Sequence, residues 1–169
     1  VGTDGQPLGF KFSTDTYNFD LSNTTVAGAH NIFTYGANYR DSKFDLEIAP
    51  EGEKKQEWGV FIQDEILLGD KVRWVIGGRY DDIDPIDGVF TPRTSLLFAP
   101  NTHHTFRVSY NEAFRSPSAI NNYLDATILV GAPPLLLPAT AIGNIDLVEE
   151  HLTAYEIGYV GSFDNGVTM

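Results

Sequence analysis

The chain has 169 residues, 42% of them hydrophobic, with no cysteine and a net charge of −12. A chain of this length can fold as one domain. It excludes a disulfide scaffold or cysteine-based metal site, and its acidity opposes nucleic acid and a basic-patch membrane contact. The 11 Phe, 8 Tyr, 16 Gly and 9 Pro suit strands and turns better than helices.

Phe10 to Phe19 reads as a weak strand, followed by a polar stretch from Ser22 to Thr25. His30 to Arg40 alternates, with Phe33, Tyr35, Ala37 and Tyr39 opposite Thr34, Gly36 and Asn38. Phe44 to Ile48 alternates again, against Asp45 and Glu47, and Ala49 to Gln56 reads as a charged loop. Glu57 to Leu68 sets Trp58, Val60 and Ile62 against Glu57, Gln63 and Glu65, and Gly69-Asp70 makes a tight turn. In Val72 to Asp81, Val72, Trp74, Ile76 and Tyr80 oppose Arg73, Arg79 and Asp81.

Asp82 to Gly88 reads as an acidic loop broken by Pro85, and Pro92 to Ala99 as a strand with Thr94, Leu96 and Phe98 on one face. A turn at Pro100–His104 leads into Thr105–Arg115, where Phe106-Arg107-Val108-Ser109-Tyr110-Asn111 alternates strictly. Ser116 to Glu149 reads as long, proline-rich and irregular, with Leu135-Leu136-Leu137 as an exposed apolar patch or an inward-folded loop. Leu152 to Phe163 is the last strand, and Asp164-Asn165-Gly166 is a hairpin signal.

The whole is an all-β antiparallel meander. A soluble sheet needs a partner layer for its apolar face, whereas a membrane barrel has lipid there and a wet lumen on the other side. No run approaches the ~18 apolar residues of a transmembrane helix. Short connections at Gly69-Asp70, Pro100–His104 and Asp164–Gly166 alternate with longer ones at Asp82–Thr91 and Ser116–Glu149. That places tight turns at one end and long loops at the other, as in outer-membrane barrels. Trp58, Tyr80, Tyr110, Phe114, Tyr155 and Phe163 then fall at the two bilayer interfaces as girdles. The competing readings are a soluble all-β carbohydrate-binding module and, third, an all-β hydrolase. Enzyme signatures such as G-x-S-x-G, the P-loop and H-E-x-x-H do not occur.

Arg73, Arg79, Arg93, Arg107 and Arg115 recur on successive polar faces and, with Asp81, Glu65 and Glu156, make a ladder of charges. Asn111 shares that face. Arg115-Ser116-Pro117-Ser118 to Asn121-Asn122-Tyr123 sits where a strand meets the longest loop, with amides and an aromatic suited to reading sugars or chelates. Asp82, Asp84 and Asp87 supply oxygens for calcium, though their spacing departs from an EF-hand. His103-His104 point apart on an extended chain and read as turn surface. No cofactor is implied.

Gly59-Val60-Phe61-Ile62-Gln63-Asp64-Glu65, Asp70-Lys71-Val72-Arg73-Trp74 and Gly77-Gly78-Arg79-Tyr80-Asp81 resemble the barrel of TonB-dependent outer-membrane receptors. So do Pro92-Arg93-Thr94-Ser95, Tyr110-Asn111-Glu112-Ala113-Phe114-Arg115-Ser116-Pro117-Ser118 and Tyr155-Glu156-Ile157-Gly158-Tyr159. The resemblance is close from Glu57 to Met169 and looser before. It implies roughly seven strands of a barrel of about 22, with residues 1–169 a partial barrel domain and an N-terminal plug belonging to the parent. It implies a bacterial outer-membrane location, import of a siderophore, vitamin or glycan, and energy from the TonB complex. Its partners are outer-membrane lipid, the plug, TonB and a small extracellular ligand. Arg79, Asp81, Arg93, Arg107, Asn111, Arg115, Asn121, Asn122 and Tyr123 are then expected to face the plug or the passing ligand. Val1 is not a methionine, no signal peptide is present and Met169 follows a turn, so the chain reads as a piece of a longer polypeptide.

Overall fold

A computed structural model describes residues 12–46, 48–49, 54–132 and 135–163. Seven strands form one antiparallel sheet in the order β1 (Phe12–Ala27), β2 (Asn31–Leu46), β3 (Lys54–Leu68), β4 (Val72–Ile83), β5 (Ile86–Asn101), β6 (His104–Arg115) and β9 (Glu150–Gly161). Between β6 and β9 lie a short helix, α1 (Ala119–Tyr123), and a separate hairpin, β7 (Asp125–Ala132) with β8 (Leu135–Ile142). This is the meander expected from the alternation.

Several boundaries differ. β1 continues through Ser22–Thr25, and β2 joins the two strands read separately before and after Arg40. Polar residues there satisfy the pleat as well as apolar ones, and Thr is itself a good strand former. β3 starts at Lys54, inside the stretch read as a loop. The largest correction concerns Asp82–Thr91. Ile83 pairs with Ile86, so the connection is a tight turn at Asp84-Pro85. The carboxylates conceal an apolar set: Ile83, Ile86 and Val89 are buried, with Phe114 packed on them. Proline fits the turn because it has no N–H to place in the ladder. The irregular segment contains α1 and the β7–β8 hairpin. The signal at Asp164–Gly166 lies outside the described residues.

The connections after β1, β3 and β5 are Gly28–His30, Gly69–Lys71 and Thr102–His103. Gly28 and Gly69 hold φ of 69° and 67°, which side chains rarely adopt. They define a turn end. The opposite, loop end carries the Asp84-Pro85 turn and the two longer connections, 47–53 and 116–149. There Asp125 N–H donates to the Ile48 carbonyl at 2.8 Å and Lys55 Nζ to Ser116 Oγ at 2.9 Å, which ties the long connection to its neighbours. The buried cluster sits at this end too, with Ala49 buried nearby, rather than beneath the sheet. The β7–β8 hairpin exposes Ile128, Val130 and Leu135–Leu137, and the chain bears no charge from Ala126 to Ile145.

No second layer covers the sheet among the described residues. Trp74, Ile76, Val108 and Tyr159 are 38%, 42%, 55% and 41% exposed. A sandwich would bury them, so the carbohydrate-binding module loses its structural basis.

Candidate functional site

Register assigns every strand residue to one of two faces, because cross-strand partners project to the same side. On one face lie Tyr35, Ala37 and Tyr39 of β2, Trp58, Val60 and Ile62 of β3, and Trp74, Ile76 and Tyr80 of β4. Leu96 and Phe98 of β5, Phe106 and Val108 of β6, and Ile157 and Tyr159 of β9 continue it. Trp58–Leu68, Val72–Tyr80 and Phe90–Phe98 each match the ~9–11 residues that a tilted strand needs to cross a bilayer. Past these limits at the loop end, the same outward positions become Asp41, Lys43 and Asp45, Lys54 and Gln56, and Asp82. The strands therefore outrun the apolar band on that side.

Aromatics mark both borders. Trp58 and Tyr80 have ring centroids 5.6 Å apart toward the loop end, and Tyr110 and Tyr155 5.1 Å. Toward the turn end, Phe106 lies 5.0 Å from Tyr159, and Tyr159 OH bonds His104 Nδ1 at 2.8 Å. Trp74 Nε1 donates to Thr94 Oγ1 at 2.8 Å. Phe163 stacks edge-on to His104. Phe114 departs from the girdle and packs on the buried trio.

The opposite face holds all six arginines: Arg40, Arg73, Arg79, Arg93, Arg107 and Arg115. Five are paired: Arg40 with Glu57 (3.6 Å), Arg73 with Glu65 (3.2 Å), Arg79 with Asp81 (2.5 Å), Arg107 with Glu156 (2.9 Å) and Arg115 with Glu150 (3.7 Å). Exposure ranks them. Arg107 and Glu156 are half exposed, and such a pair contributes about 0–1 kcal/mol. Asp81 is buried and accepts from Arg79 on both its oxygens, and Arg79 Nη2 also donates to Asn38 Oδ1 at 2.5 Å. Gly59 makes this node possible. A Cβ there would collide with the Asp81 carboxylate and Arg79 guanidinium and stand 3.0 Å from Asn38 Oδ1.

The nine expected site residues do not form one site. Arg79, Arg93 and Asn111 line a single hollow with Phe61, Thr91 and Glu112, and Asp81 anchors its edge through Arg79. Arg107 lies nearer the turn end, where Ser109 Oγ also donates to Glu156. Arg115 and Asn121 line a second hollow with Ser116 and Pro117. Asn122 and Tyr123 line a third, beneath the β7–β8 hairpin, and the Asn122 amide is buried without a hydrogen-bond partner. Asn38, Gly59, Phe61 and Thr91 were not singled out from sequence, and only Gly59 carried a signal, as a glycine inside a strand.

Among the described residues no three His, Asp or Glu converge, so Asp82, Asp84 and Asp87 make no calcium loop. Asp84 instead accepts from the Gln56 amide. Just before β9, the Glu149 carboxyl is held below the usual carboxylate range, first by its own backbone amide and then by His151 at 2.9 Å.

A family model described as TonB dependent receptor-like, beta-barrel, matches residues 2–169. No curated protein matches the chain. Among solved structures, the siderophore receptor PirA from Pseudomonas aeruginosa aligns with a TM-score of 0.78 at 17% identity, covering 93% of this chain and 31% of that one. PirA from Acinetobacter baumannii gives 0.69 at 17%, covering 90% and 25%. The ferric enterobactin receptor PfeA from Pseudomonas aeruginosa also gives 0.69 at 17%, again with 90% and 25%. This chain thus spans between a quarter and a third of the receptors it resembles. One greasy face, one arginine-bearing face, aromatic borders and a match over nearly its whole length agree: the chain belongs to the β-barrel family of TonB-dependent receptors.

Proposed function

We propose that this chain is a stretch of barrel wall from a bacterial outer-membrane receptor that binds a scarce extracellular ligand and imports it with TonB-derived energy. The observation that carries the reading is the two-faced sheet. Its apolar band has the height of a bilayer, and its other face holds every arginine. The turn end faces the periplasm and the loop end the outside, following the usual asymmetry of such barrels. Lipid contacts the apolar face. The plug domain and the passing ligand meet the arginine face, the hollow of Arg79, Arg93 and Asn111 at mid-height and those of Arg115, Asn121, Asn122 and Tyr123 near the mouth. A ferric siderophore is the favoured ligand class, supported by the siderophore receptors among the structural neighbours.

The test uses the full-length parent gene. A deletion strain under iron limitation is expected to lose uptake of one radiolabelled ferric siderophore. The complete receptor restores it, and removing TonB abolishes it again. Unchanged uptake across siderophores, cobalamin and glycans would remove the proposal.

A further inference from the structure

We infer that Arg93 is a docking point for a carboxylate presented inside the barrel, and that the polypeptide filling the lumen presents it. The inference rests on the receptor reading above and adds a residue and a chemistry to it. Of the six arginines on the inner face, Arg93 alone has neither an ion pair nor a side-chain hydrogen bond among the described residues. Its surroundings explain this. Its cross-strand partners are Gly77 and Asn111, and its same-face neighbours along β5 are Thr91 and Ser95, none of them charged.

The other charges lining the hollow are engaged. Arg79 is committed to Asp81 and Asn38. The Glu112 carboxylate accepts from the Tyr110 hydroxyl, and Glu112 falls on the outward register. A planar acid entering the hollow therefore meets one free guanidinium fork with the Asn111 amide beside it. That geometry suits a carboxylate bound through two oxygens. Gly77, crowded by the Ile62 carbonyl and Gln63, brings no side chain that could pair with Arg93.

Height decides the source of the acid. Pro92 and Thr94, the outward neighbours of Arg93, lie inside the apolar band between Phe90 and Phe98. Arg93 is thus at membrane mid-depth, away from both rims, facing whatever fills the lumen permanently. Packed polypeptide there would strip water from the guanidinium, and an uncompensated buried charge is strongly unfavourable. A carboxylate on that polypeptide removes the penalty.

The experiment records single-channel conductance of the full-length receptor in planar bilayers during a urea ramp. Heat-modifiable migration serves as the check that the barrel is folded. Wild type and Lys71→Gln, in the short turn after β3, are expected to stay closed. Arg93→Gln is expected to raise open time at a given urea concentration by at least about tenfold, the loss of one charge-assisted bond. Arg93→Lys gives a smaller rise and reports on the site if the glutamine variant fails to fold. Arg93→Glu is expected to be rescued by one Asp or Glu to Arg exchange in the lumen-filling domain. Closure of Arg93→Gln equal to wild type overturns the inference, as does weakened ligand binding with closure intact, which would assign the acid to the transported solute. A wild-type receptor that conducts as an open pore would instead remove the receptor reading itself.

Discussion

Exchanging Leu96 for lysine is expected to destabilise the parent barrel in lipid vesicles by about 2–4 kcal/mol, the cost of a cation near the bilayer midplane. Lysine at Val75, on the neighbouring strand, is expected to cost under about 1 kcal/mol, as a tolerated surface change does. The two sites sit on paired strands and nearly share a side chain. They differ in direction: Leu96 registers with Trp74 and Val108 on the apolar face, Val75 with Glu65 and Ser95 on the arginine face. A lysine at 75 finds water and the Glu65 carboxylate, whereas one at 96 finds hydrocarbon. Urea titration of the full-length receptor refolded into vesicles reads both values. Equal costs at the two positions would mean that no lipid lies against Leu96.

Gly59→Val is expected to destabilise the barrel by about 1–3 kcal/mol, in the range of overpacked sites. The sign discriminates, because valine is a better strand former than glycine and propensity alone predicts a gain. The loss arises because the new Cβ occupies the space of the Asp81 carboxylate and the Arg79 guanidinium. Gly158→Val is the control. It lies on the same face, and a Cβ there would come no nearer than 3.8 Å to Arg107, so it is expected to be neutral or stabilising. Combining Gly59→Val with Asp81→Asn should cost less than the sum of the two, since both dismantle one node. Additive costs, or a stabilised Gly59→Val, would show that the node is not tightly held.

The period-two alternation made most of the fold legible. It placed Trp58, Trp74, Val108 and Tyr159 on one side and the arginines on the other, because a strand's side-chain period leaves no freedom once its span is known. It failed where composition and pairing diverge. Asp82, Asp84 and Asp87 looked like a loop, yet Ile83 and Ile86 between them and Val89 just after continue the β4–β5 ladder. Ser22–Thr25 looked like a break, yet Thr24 pairs with Thr34 through their hydroxyls. The site was legible as a face and not as a set of neighbours. Asn38, Gly59 and Asp81 become adjacent only through registers spanning three strands, which no local pattern encodes. The same holds for the solitary state of Arg93. Its type and direction were readable, but the lack of a partner follows from Gly77 and Asn111 being its opposite numbers.

The β7–β8 hairpin, uncharged beyond Asp125, belongs to a longer stretch with no basic residue at all: no lysine or arginine follows Arg115 in this chain. On the proposed receptor, trypsin applied to intact cells thus finds no bond in the connection from β6 to β9 beyond Arg115–Ser116, at the strand end. Chymotrypsin finds Tyr123 and the leucines of the exposed tip. Surface shaving with the two proteases side by side separates this loop from the lysine-bearing start of β3.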